Sequence, residues 1–579
     1  MSGICGFVGE ADPATLTAML DAISYRGDRI DTAQAQGVAL GYRFWANRPG
    51  KSPAIHRDGL HLVACAGTLA PPVPSAAAVL RQRLRPGPDG LDTLDGAFAA
   101  ALWDGESRRL TLVRDPFGVR SLYYLEHRGV FYFASELKQL LAIPGLPIEL
   151  DASATHKYLS FSFVPGEDVP IKGIRRLLPG RVAVWDGSHL SFTPYFTLQE
   201  SIDPTLAEPR QAVRLVRQRC REAVRNRLNG EARVGLFLSG GLDSSGVAFW
   251  LRKAGVETLA LSLDFGAKSV EREQAILVAK HLEMPLRLVS VGGADLAPLL
   301  MDLVWKLDLP FGDAVTGPQY LLGRAAREAG LECVFSGEGG DQLFGGWTTK
   351  PMIAAEIYAD HFGEASREET YLRSYHRFYR REAELYTPEF QARIGPPGQR
   401  RALLRPYLES DAAATFLNRI RLADISLKGS QNILPRAERM ANAWGLDARV
   451  PLFDRALAEA SFRLPPQMKL KGACEKYVLK LALRKRLPHE VVWRRKFGMS
   501  VPVTDWLLGP LAGTVEELLG TPSLARRGLF RDDYVSRLRQ GQHEASDTRR
   551  RRLGERLWAL LMLEAWLRVF IDGRGARPT

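Results

Sequence analysis

The feature that most constrains this chain is an apolar strand that runs into a glycine-rich turn and then into a helix. The strand is Val234-Gly-Leu-Phe-Leu, the turn is Ser239-Gly240-Gly241-Leu242-Asp243-Ser244-Ser245, and an apolar helical stretch covers 246–252. Such a turn directs backbone N–H groups and hydroxyls to one point, where the positive end of the helix dipole favours an anion. No Gly-Lys-Ser or Gly-Lys-Thr follows, so this is not a P-loop. The pattern predicts a phosphate-binding loop, with an ordinary tight turn as the alternative.

A second glycine-rich turn follows the apolar strand 333–336 and carries two carboxylates. It reads Gly337-Glu338-Gly339-Gly340-Asp341-Gln342. Its glycines permit close approach of the backbone to a ligand, and its carboxylates would lie at the carboxyl end of a parallel strand, where ligands bind. A solvated acidic turn is the alternative. In the first loop, Asp243 would be repelled by phosphate unless a cation lay between them, so we predict that it binds Mg²⁺.

The rest of the chain predicts two domains with different architectures. Short apolar or alternating runs indicate a mainly β unit over 1–195, with strands at 2–9, 37–42, 60–66, 97–103, 110–114 and 130–135 and helices at 13–24 and 76–84. From about Thr205 strands alternate with helices, which implies a parallel sheet covered on both faces, with strands at 234–238, 258–264, 286–291 and 333–336 and helices at 212–228 and 271–282. From Glu356 onward we expect mostly helices, so the second domain covers 205–579.

Composition and charge limit the class of protein. Hydrophobic residues make up 46% and charged residues 25% of the 579, which is typical of globular proteins and excludes disordered, collagen-like and disulfide-framework chains. Five scattered cysteines without metal-ligand spacing indicate reduced, mostly buried thiols. No apolar run is long enough to span a bilayer and the chain starts without a signal-peptide pattern, so we expect a soluble cytoplasmic protein that does not bind membranes.

The net charge of +13 raises the question of a nucleic-acid partner. The clearest basic run is Arg549–Arg552, which leads into a stretch over 553–567 that we interpret as an amphipathic helix. A run of this kind is more often a solvated face, and no nucleic-acid-binding motif accompanies it. We therefore expect no nucleic-acid partner, and a non-catalytic nucleic-acid-binding protein is only a remote alternative.

The two loops carry a resemblance to known enzymes. Ser-Gly-Gly-Leu-Asp-Ser-Ser resembles the pyrophosphate loop of N-type ATP pyrophosphatases, and the chain as a whole resembles glutamine-dependent asparagine synthetase. Further motifs that carry the resemblance are Gly3-Ile4, Arg26-Gly27, Asp95-Gly96, Arg114-Asp115-Pro116-Phe117-Gly118, Ala134-Ser135-Glu136-Leu137-Lys138, Arg449-Val450-Pro451 and Arg495-Lys496. The resemblance implies an α+β N-terminal sandwich of the αββα, N-terminal-nucleophile amidotransferase type. An α/β parallel-sheet ATP-pyrophosphatase domain with a helical C-terminal region would follow it.

The resemblance also implies the cofactors ATP and Mg²⁺ and the roles of individual residues. Asp243 and Asp341 would hold Mg²⁺ with pyrophosphate, Glu338 would be the general base, and Lys496 would neutralise charge that develops during the reaction. The residues that would surround ATP and pyrophosphate are Ser239, Gly240, Gly241, Asp243, Ser244, Ser245, Gly337 and Gly339.

The glutaminase nucleophile of the family is missing. The family uses a cysteine at position 2, where this chain has Ser2, and Cys5 would serve only if the chain were cut after Ile4. The glutamine pocket also departs from the family, because the expected arginine falls on Phe44, although Arg43 is adjacent, and its Asn-Gly-Glu segment is Ala66-Gly67-Thr68. Of the charged groups in the pocket only Asp95 remains. We expect an inactive glutaminase, although serine nucleophiles do exist in other amidases.

An adenylating domain without its own ammonia supply resembles the β-lactam synthetase and lasso-peptide cyclase branches of the family. β-Lactam synthetases carry tyrosine where this chain has Glu338, which favours the cyclase branch. The predicted substrate pocket contains Trp444, Asp447 and Gln342, which depart from or replace parts of the family's aspartate site. We therefore predict a macrolactam synthetase that acts on a precursor or core peptide, with a leader peptidase as a partner. The alternative is asparagine synthetase that uses ammonia or glutamine.

Overall fold

Two stacked antiparallel sheets form the N-terminal part of the molecule. The computed structural model describes residues 2–35, 37–46, 55–84, 87–346, 351–354, 367–375, 377–395, 398–494, 501–542 and 547–578. The strands are β1 (Ser2–Val8), β2 (Arg29–Ala35), β3 (Val38–Phe44), β4 (Ile55–Asp58), β5 (His61–Ala70), β6 (Asp95–Asp104), β7 (Arg109–Arg114), β8 (Tyr123–His127), β9 (Val130–Ala134), β10 (Arg175–Arg176), β11 (Arg181–Trp185) and β12 (Leu190–Pro194). Their orders are β10-β8-β9-β1-β3-β2 and β12-β11-β7-β6-β5-β4.

Helices cover the outer faces of both sheets. The helices of this part are α1 (Pro13–Asp21), α2 (Ala76–Leu84), α3 (Leu137–Leu141) and α4 (Ala152–Phe161). Leu16 of α1 packs with Phe7 on one sheet, and Leu80 of α2 packs with Val63 on the other. The layers therefore follow the predicted αββα order. Strand β1 is apolar on both faces because it has a helix on one side and a sheet on the other.

A five-stranded parallel sheet forms the centre of the C-terminal part. Its strands are β13 (Arg233–Phe237), β14 (Glu257–Asp264), β15 (Leu286–Ser290), β16 (Cys333–Ser336) and β17 (Asp447–Arg449), in the order β15-β14-β13-β16-β17. The helices around it are α5 (Pro209–Asn226), α6 (Leu242–Ala254), α7 (Arg272–His281), α8 (Leu300–Leu307), α9 (Thr316–Glu328) and α10 (Gly340–Phe344). After β13 the chain adds β14 and β15 on one side of this strand, and it then adds β16 and β17 on the other side. Ligands bind at such a switch point in open α/β sheets.

The remaining described residues are mostly helical, as predicted. The helices are Arg367–Tyr375, Glu382–Leu385, Pro388–Arg393, Gln399–Leu408, Phe416–Ala423, Leu434–Asn442, Arg455–Arg463, Pro466–Lys469, Tyr477–Leu483, His489–Val492, Val503–Leu508, Ala512–Leu519, Thr521–Arg527, Asp532–Arg539 and Asp547–Leu567, with a π-helical segment at Asp424–Ile433. None of the helices in the described ranges has both the length and the apolar character that a membrane span requires.

The helix Asp547–Leu567 differs from its prediction. Its second half is buried on every side, from Leu557 to Leu567, so it is a core helix and not an amphipathic one. At its start, Arg550 pairs with Asp505 at 2.7 Å and Arg551 pairs with Glu555 at 3.0 Å. These arginines are exposed and paired with acidic side chains, as expected of a solvated face.

A buried set of charged side chains joins the N-terminal sandwich to the C-terminal part. We call it the interdomain ion cluster, and its members are Arg26, Arg120, Glu136, Lys138, Asp308, Glu438 and Arg439. All seven are at most 5% exposed. Buried charges are tolerated only when they are paired and hydrogen-bonded, and each of these contacts at least one opposite charge.

Candidate active site

The two glycine-rich loops lie side by side at the switch point of the parallel sheet. The first loop connects β13 to α6, and the second connects β16 to α10. Gly240 has φ +71°, and a Cβ at this residue would lie 2.5 Å from the backbone nitrogen of Ala275. A Cβ at Gly337 would lie 2.3 Å from the nitrogen of Ser244. Gly240 requires glycine because α7 lies against it, and Gly337 requires glycine because the second loop packs directly on the first turn of α6.

Hydroxyl groups shape the first loop from within. The backbone N–H of Ser239 donates to Ser244 Oγ at 3.3 Å, and that hydroxyl donates to the carbonyl of Gly241 at 3.2 Å. In contrast, Ser245 Oγ and Ser336 Oγ are buried without a hydrogen-bond partner among the described residues. Unsatisfied buried hydroxyls are costly, so these two are groups that a polar ligand or an ordered water would satisfy.

Lys476 connects the two predicted Mg²⁺ ligands. Its ammonium forms a close ion pair with Asp243 and lies 2.8 Å from Asp341 Oδ1. Burial opposes the charge on this lysine, but the two carboxylates outweigh burial and raise its pKa above the ordinary value. Lys476 therefore stays protonated at the point where Asp243 and Asp341 meet.

Lys476 was not among the residues predicted from the sequence, and the predicted lysine, Lys496, lies outside the described residues. Lys476 precedes the helix Tyr477–Leu483 in a left-handed conformation, with φ +53°. Several lysines and arginines stand near it in the sequence, and no spacing distinguishes the one that reaches the loops. The one sequence signal for Lys476 is its position directly before the apolar helix Tyr477–Leu483. A charged side chain buried at such a position needs an opposite charge as a partner.

Glu338 lies next to Arg436, a buried cation on the helix Leu434–Asn442. Its Oε1 is 3.8 Å from Arg436 Nη2 and 3.5 Å from Gln319 Nε2. Arg436 also donates to Asp313 Oδ2 at 2.6 Å. The side chain of Glu338 is 29% exposed, so it can meet a substrate while the cation of Arg436 lies on one side of it.

Two of the predicted pocket residues lie close to this region. Trp444 packs on Tyr320, with ring centroids 4.9 Å apart, and fills the space above Gly323. Gly323 is four residues after Gln319 on α9, so Trp444 lies about one helical turn from the Gln319–Glu338 contact. Gln342 is buried in α10, the helix that follows the second loop.

The third predicted pocket residue, Asp447, lies at the opposite end of the sheet. In the register of the parallel strands it is aligned with Cys333, and the loop begins after Ser336, roughly 10 Å further along β16. Its carboxylate pairs with Arg120 at 3.0 Å and with Arg449 at 2.7 Å. The structure therefore places Asp447 in the contact between the two parts of the molecule, and not beside the glycine-rich loops.

Among the described residues of the sandwich, Arg43 does not lie beside the Ser2 hydroxyl. Ser2 is 3% exposed, and its Oγ accepts a hydrogen bond from the N–H of Gly67 at 3.2 Å. Ser2 is paired with Phe44 and Gly3 with Arg43, so Arg43 faces the other side of the sheet from Ser2. Its guanidinium donates to the carbonyls of Gly27 and Leu20 instead. Arg43 therefore does not replace the missing arginine.

Asp95 and Cys5, the other two groups considered for this site, are also bound or buried away from Ser2. Asp95 accepts a 3.0 Å contact from Arg227, which also pairs with Asp454 at 2.6 Å. Burial raises the pKa of Asp95 to about 7, although Arg227 opposes the shift. Cys5 lies in the middle of β1, paired with Gly41 and Ala134, and burial raises the pKa of its thiol. Neither residue is placed to take part in glutamine hydrolysis.

The residues present around the loops fit ATP and Mg²⁺. Asp243 Oδ1 is buried without a hydrogen-bond partner, and Asp341 stands across from it. Carboxylate oxygens are the ligands that Mg²⁺ prefers, and phosphates complete its shell. The first turn of α6 offers N–H groups to phosphate oxygens. Asp243 and Asp341 would thus hold the metal, which offsets phosphate charge when bound.

Two family models and several curated proteins match this chain. The asparagine synthase family model matches residues 215–568, and the glutamine amidotransferase domain model matches residues 76–196. Asparagine synthetase [glutamine-hydrolyzing] 1 of Bacillus subtilis is 26% identical over 83% of this chain and 78% of its own length. A putative asparagine synthetase of Mycobacterium bovis is 26% identical over 84% and 78%, and amidase chry2 of Gibberella zeae is 25% identical over 75% and 74%. The chain belongs to the asparagine synthase family, whose members form amides at the expense of ATP.

Proposed function

We propose that this protein is an ATP-dependent macrolactam synthetase without glutaminase activity. It would activate an Asp or Glu side chain of a precursor or core peptide as the acyl-adenylate, and the N-terminal amine of the same peptide would close the ring. One observation carries the proposal. Lys476 brings Asp243 and Asp341 together at the two glycine-rich loops, which supports adenylation, whereas a serine stands at position 2 and Arg43 faces away from it.

The chemistry follows from the groups at the loops. A substrate carboxylate oxygen attacks the α-phosphorus of ATP, pyrophosphate leaves, and Lys476 supplies a fixed cation beside the departing charge. The amine then attacks the acyl carbon, a C–N bond forms, and AMP leaves. The attacking amine loses a proton, which Glu338 is placed to accept because its carboxylate is partly exposed at the second loop.

The source of the amine separates this proposal from its alternative. A chain without a working glutaminase needs free ammonia or an amine that the substrate brings. Trp444 packs on the buried ring of Tyr320 about one helical turn from the Gln319–Glu338 contact, where the family resemblance expects a histidine, and this change is what motivates a substrate other than aspartate. An internal amine also needs no transfer from the N-terminal sandwich. A leader peptidase would be the partner that frees it.

The second candidate is asparagine synthetase that makes asparagine from aspartate, ATP and ammonia or glutamine. The relatives from Bacillus subtilis and Mycobacterium bovis carry this name, and the adenylation site serves this reaction equally well. The family-like string in the sequence assigned Asp447 to the aspartate site. Its pairing with Arg120 and Arg449 therefore counts against this candidate.

The test compares substrates in one assay. The purified chain is incubated with ATP and Mg²⁺, with either aspartate plus ammonium or peptides that carry a free N-terminal amine and one internal Asp or Glu at varied spacing. Pyrophosphate exchange reports adenylation, and mass spectrometry reports a product that has lost one water. The proposal expects cyclised peptide and little asparagine. Robust formation of asparagine, with no cyclised peptide, would instead establish the second candidate.

Two variants make the test specific. Asp243→Asn should abolish exchange with every substrate because it removes a metal and lysine partner. Ser2→Ala should leave ring formation unchanged. Release of glutamate from glutamine that disappears in Ser2→Ala would show an active glutaminase and contradict the proposal.

A further inference from the structure

We propose that the N-terminal sandwich positions Glu338 for the amide-forming step, and that Arg436 is the positioning residue through which it acts. The inference rests on the proposed role of Glu338 as proton acceptor. It gives the sandwich a task that does not need glutamine hydrolysis. The connection runs from the interdomain ion cluster through two segments that meet at Arg436.

Arg436 is the buried cation that faces Glu338, whose Oε1 also accepts a long hydrogen bond from Gln319 at 3.5 Å. The side chain of Arg436 is 4% exposed, and its planar guanidinium spans two carboxylates, with Nη1 2.6 Å from Asp313 Oδ2 and Nη2 3.8 Å from Glu338 Oε1. A rigid fork of this kind fixes direction as well as distance, which an ammonium does not. Because Asp313 fixes one end of the fork, any shift of Asp313 or of the backbone at Arg436 moves the group that faces Glu338.

The first segment is the loop 308–313, which contacts Arg436 through Asp313. The N-terminal sandwich forms hydrogen bonds with this loop at two residues. The carboxylate of Asp308 accepts hydrogen bonds from the N–H groups of Leu137 and Lys138, at 2.6 and 3.1 Å. The N–H of Gly312 donates to the carbonyl of Ser162 at 2.8 Å, at the end of α4. The next residue is Asp313, the partner of Arg436. The sandwich thus sets the position of the carboxylate that orients the guanidinium.

The second segment is the helix Leu434–Asn442, which carries Arg436 itself. Two and three residues further along, Glu438 and Arg439 enter the interdomain ion cluster. Glu438 pairs with Arg26 at 2.8 Å and with Arg120 at 2.6 Å. Arg439 pairs with Glu136 at 2.6 Å. Three buried pairs therefore fix the depth and rotation of this helix against the sandwich.

The buried charges of the interdomain ion cluster restrict movement of both the loop 308–313 and the helix Leu434–Asn442. Each member of the cluster is buried, so loss of one partner would leave an uncompensated charge in a low-dielectric region. Well-paired buried networks rigidify the elements that they join. The structure thus links the sandwich to the fork of Arg436 through contacts on two independent segments, and only one of them belongs to the helix of Arg436.

The experiment separates the two half-reactions in the full-length chain. Adenylation is measured as ATP–pyrophosphate exchange, and the amide-forming step is measured with whichever acceptor the wild type uses, peptide amine or ammonium. Arg436→Met should slow the amide-forming step tenfold or more while exchange stays within threefold. Arg436→Lys should recover only part of the rate. If the wild type uses ammonium and closes no ring, the proposed macrolactam function fails and this test still applies.

The decisive measurement is a double-mutant cycle with Glu338→Gln. If Arg436 acts through Glu338, Arg436→Met should change the residual rate of Glu338→Gln by less than twofold. Arg120→Lys, on the sandwich side, should slow the same step and lose its effect in the Arg436→Met background. Glu149→Gln, which removes an exposed ion pair with Lys172 on the sandwich, is the matched control and should change nothing.

Two outcomes would overturn the inference. One is an Arg436→Met effect that adds fully to that of Glu338→Gln. The other is a parallel loss of exchange and amide formation together with a lower thermal midpoint, which would show a structural role only. Because Arg436→Lys and Arg120→Lys keep the charge, they retain a folded protein for the test if Arg436→Met does not fold.

Discussion

Glu438 gives the sharpest test of how the two parts of the molecule are held together. The change is Glu438→Gln, which keeps the shape of the side chain and removes its charge. In the native protein Glu438 contacts Arg26 at 2.8 Å and Arg120 at 2.6 Å, and Arg439 is 3.7 Å away. The variant leaves these buried guanidinium groups with less opposite charge, so we expect a large loss of stability.

The magnitude follows from the pKa of the carboxyl group. Burial by itself would raise the pKa of Glu438, but Arg26, Arg120 and Arg439 outweigh burial and lower it from 4.5 to about 2. This difference corresponds to about 3 kcal/mol of stability at pH 7. Measured losses of one partner from a buried ion pair are about 3–5 kcal/mol. We therefore expect Glu438→Gln to lower the free energy of unfolding by about 3 kcal/mol.

The pH dependence gives a second, independent readout. Because folding lowers the pKa of Glu438, its contribution is complete above the unfolded value of 4.5 and is lost as the pH falls toward the folded value of about 2. Glutamine does not titrate, so only the wild type loses this contribution. The difference between wild type and variant should shrink by about 1 kcal/mol between pH 7 and pH 4.

The assay is equilibrium urea unfolding followed by tryptophan fluorescence and circular dichroism, with agreement between the probes as the condition for a two-state analysis. Trp305 and Trp566 lie at this interface: Trp305 is 5.0 Å from Lys138, and Trp566 donates to the carbonyl of Asp308. Glu149→Gln is the exposed control. A Glu438→Gln variant as stable as wild type at pH 7, or a difference that stays constant down to pH 4, would refute the reasoning.

Three further predictions concern the candidate active site. Lys476→Met should lower ATP–pyrophosphate exchange by about 100-fold or more, since it removes the fixed cation between two carboxylates, and Lys476→Arg should restore part of it. Gly337→Ala should abolish exchange because its Cβ would lie 2.3 Å from the nitrogen of Ser244, whereas Gly513→Ala, with no atom within 4 Å, should not change it. Removal of divalent metal with EDTA should stop exchange, and added Mg²⁺ should restore it; activity that persists without metal would contradict the assignment to Asp243.

The glycine-rich loops could be predicted from the sequence because local chemistry determines them. Gly240 and Gly337 occupy positions where any side chain would collide with the backbone, so their spacing reports the geometry directly. The parallel strands could be predicted for a similar reason, since strands buried on both faces are continuous apolar runs. Strands such as β2 and β12 were missed because their exposed residues break that pattern.

The charged residues could not be assigned in the same way. Arg26 and Glu438 are 412 residues apart in the chain, so no local spacing indicates that they meet. Asp447 belongs to a family-like string and was therefore assigned to the substrate, although its register in β17 directs it to Arg120. Lys476, by contrast, lies at the site and was not assigned to it. Its long side chain reaches the loops from a segment that carries no motif.

The buried helix Asp547–Leu567 has a consequence for biosynthesis. The carbonyl of Ala559 accepts a hydrogen bond from Tyr158 of the sandwich at 2.9 Å, and Trp566 donates to the carbonyl of Asp308 at 3.2 Å. All three sheets leave the ribosome before this helix does, and domains fold as they emerge. Until the helix arrives, the apolar faces of the helices that it covers, among them α8 and Val503–Leu508, stay open to solvent. A nascent chain that stalls before residue 547 would expose those faces, and we expect it to bind chaperones more strongly than the 579-residue chain does.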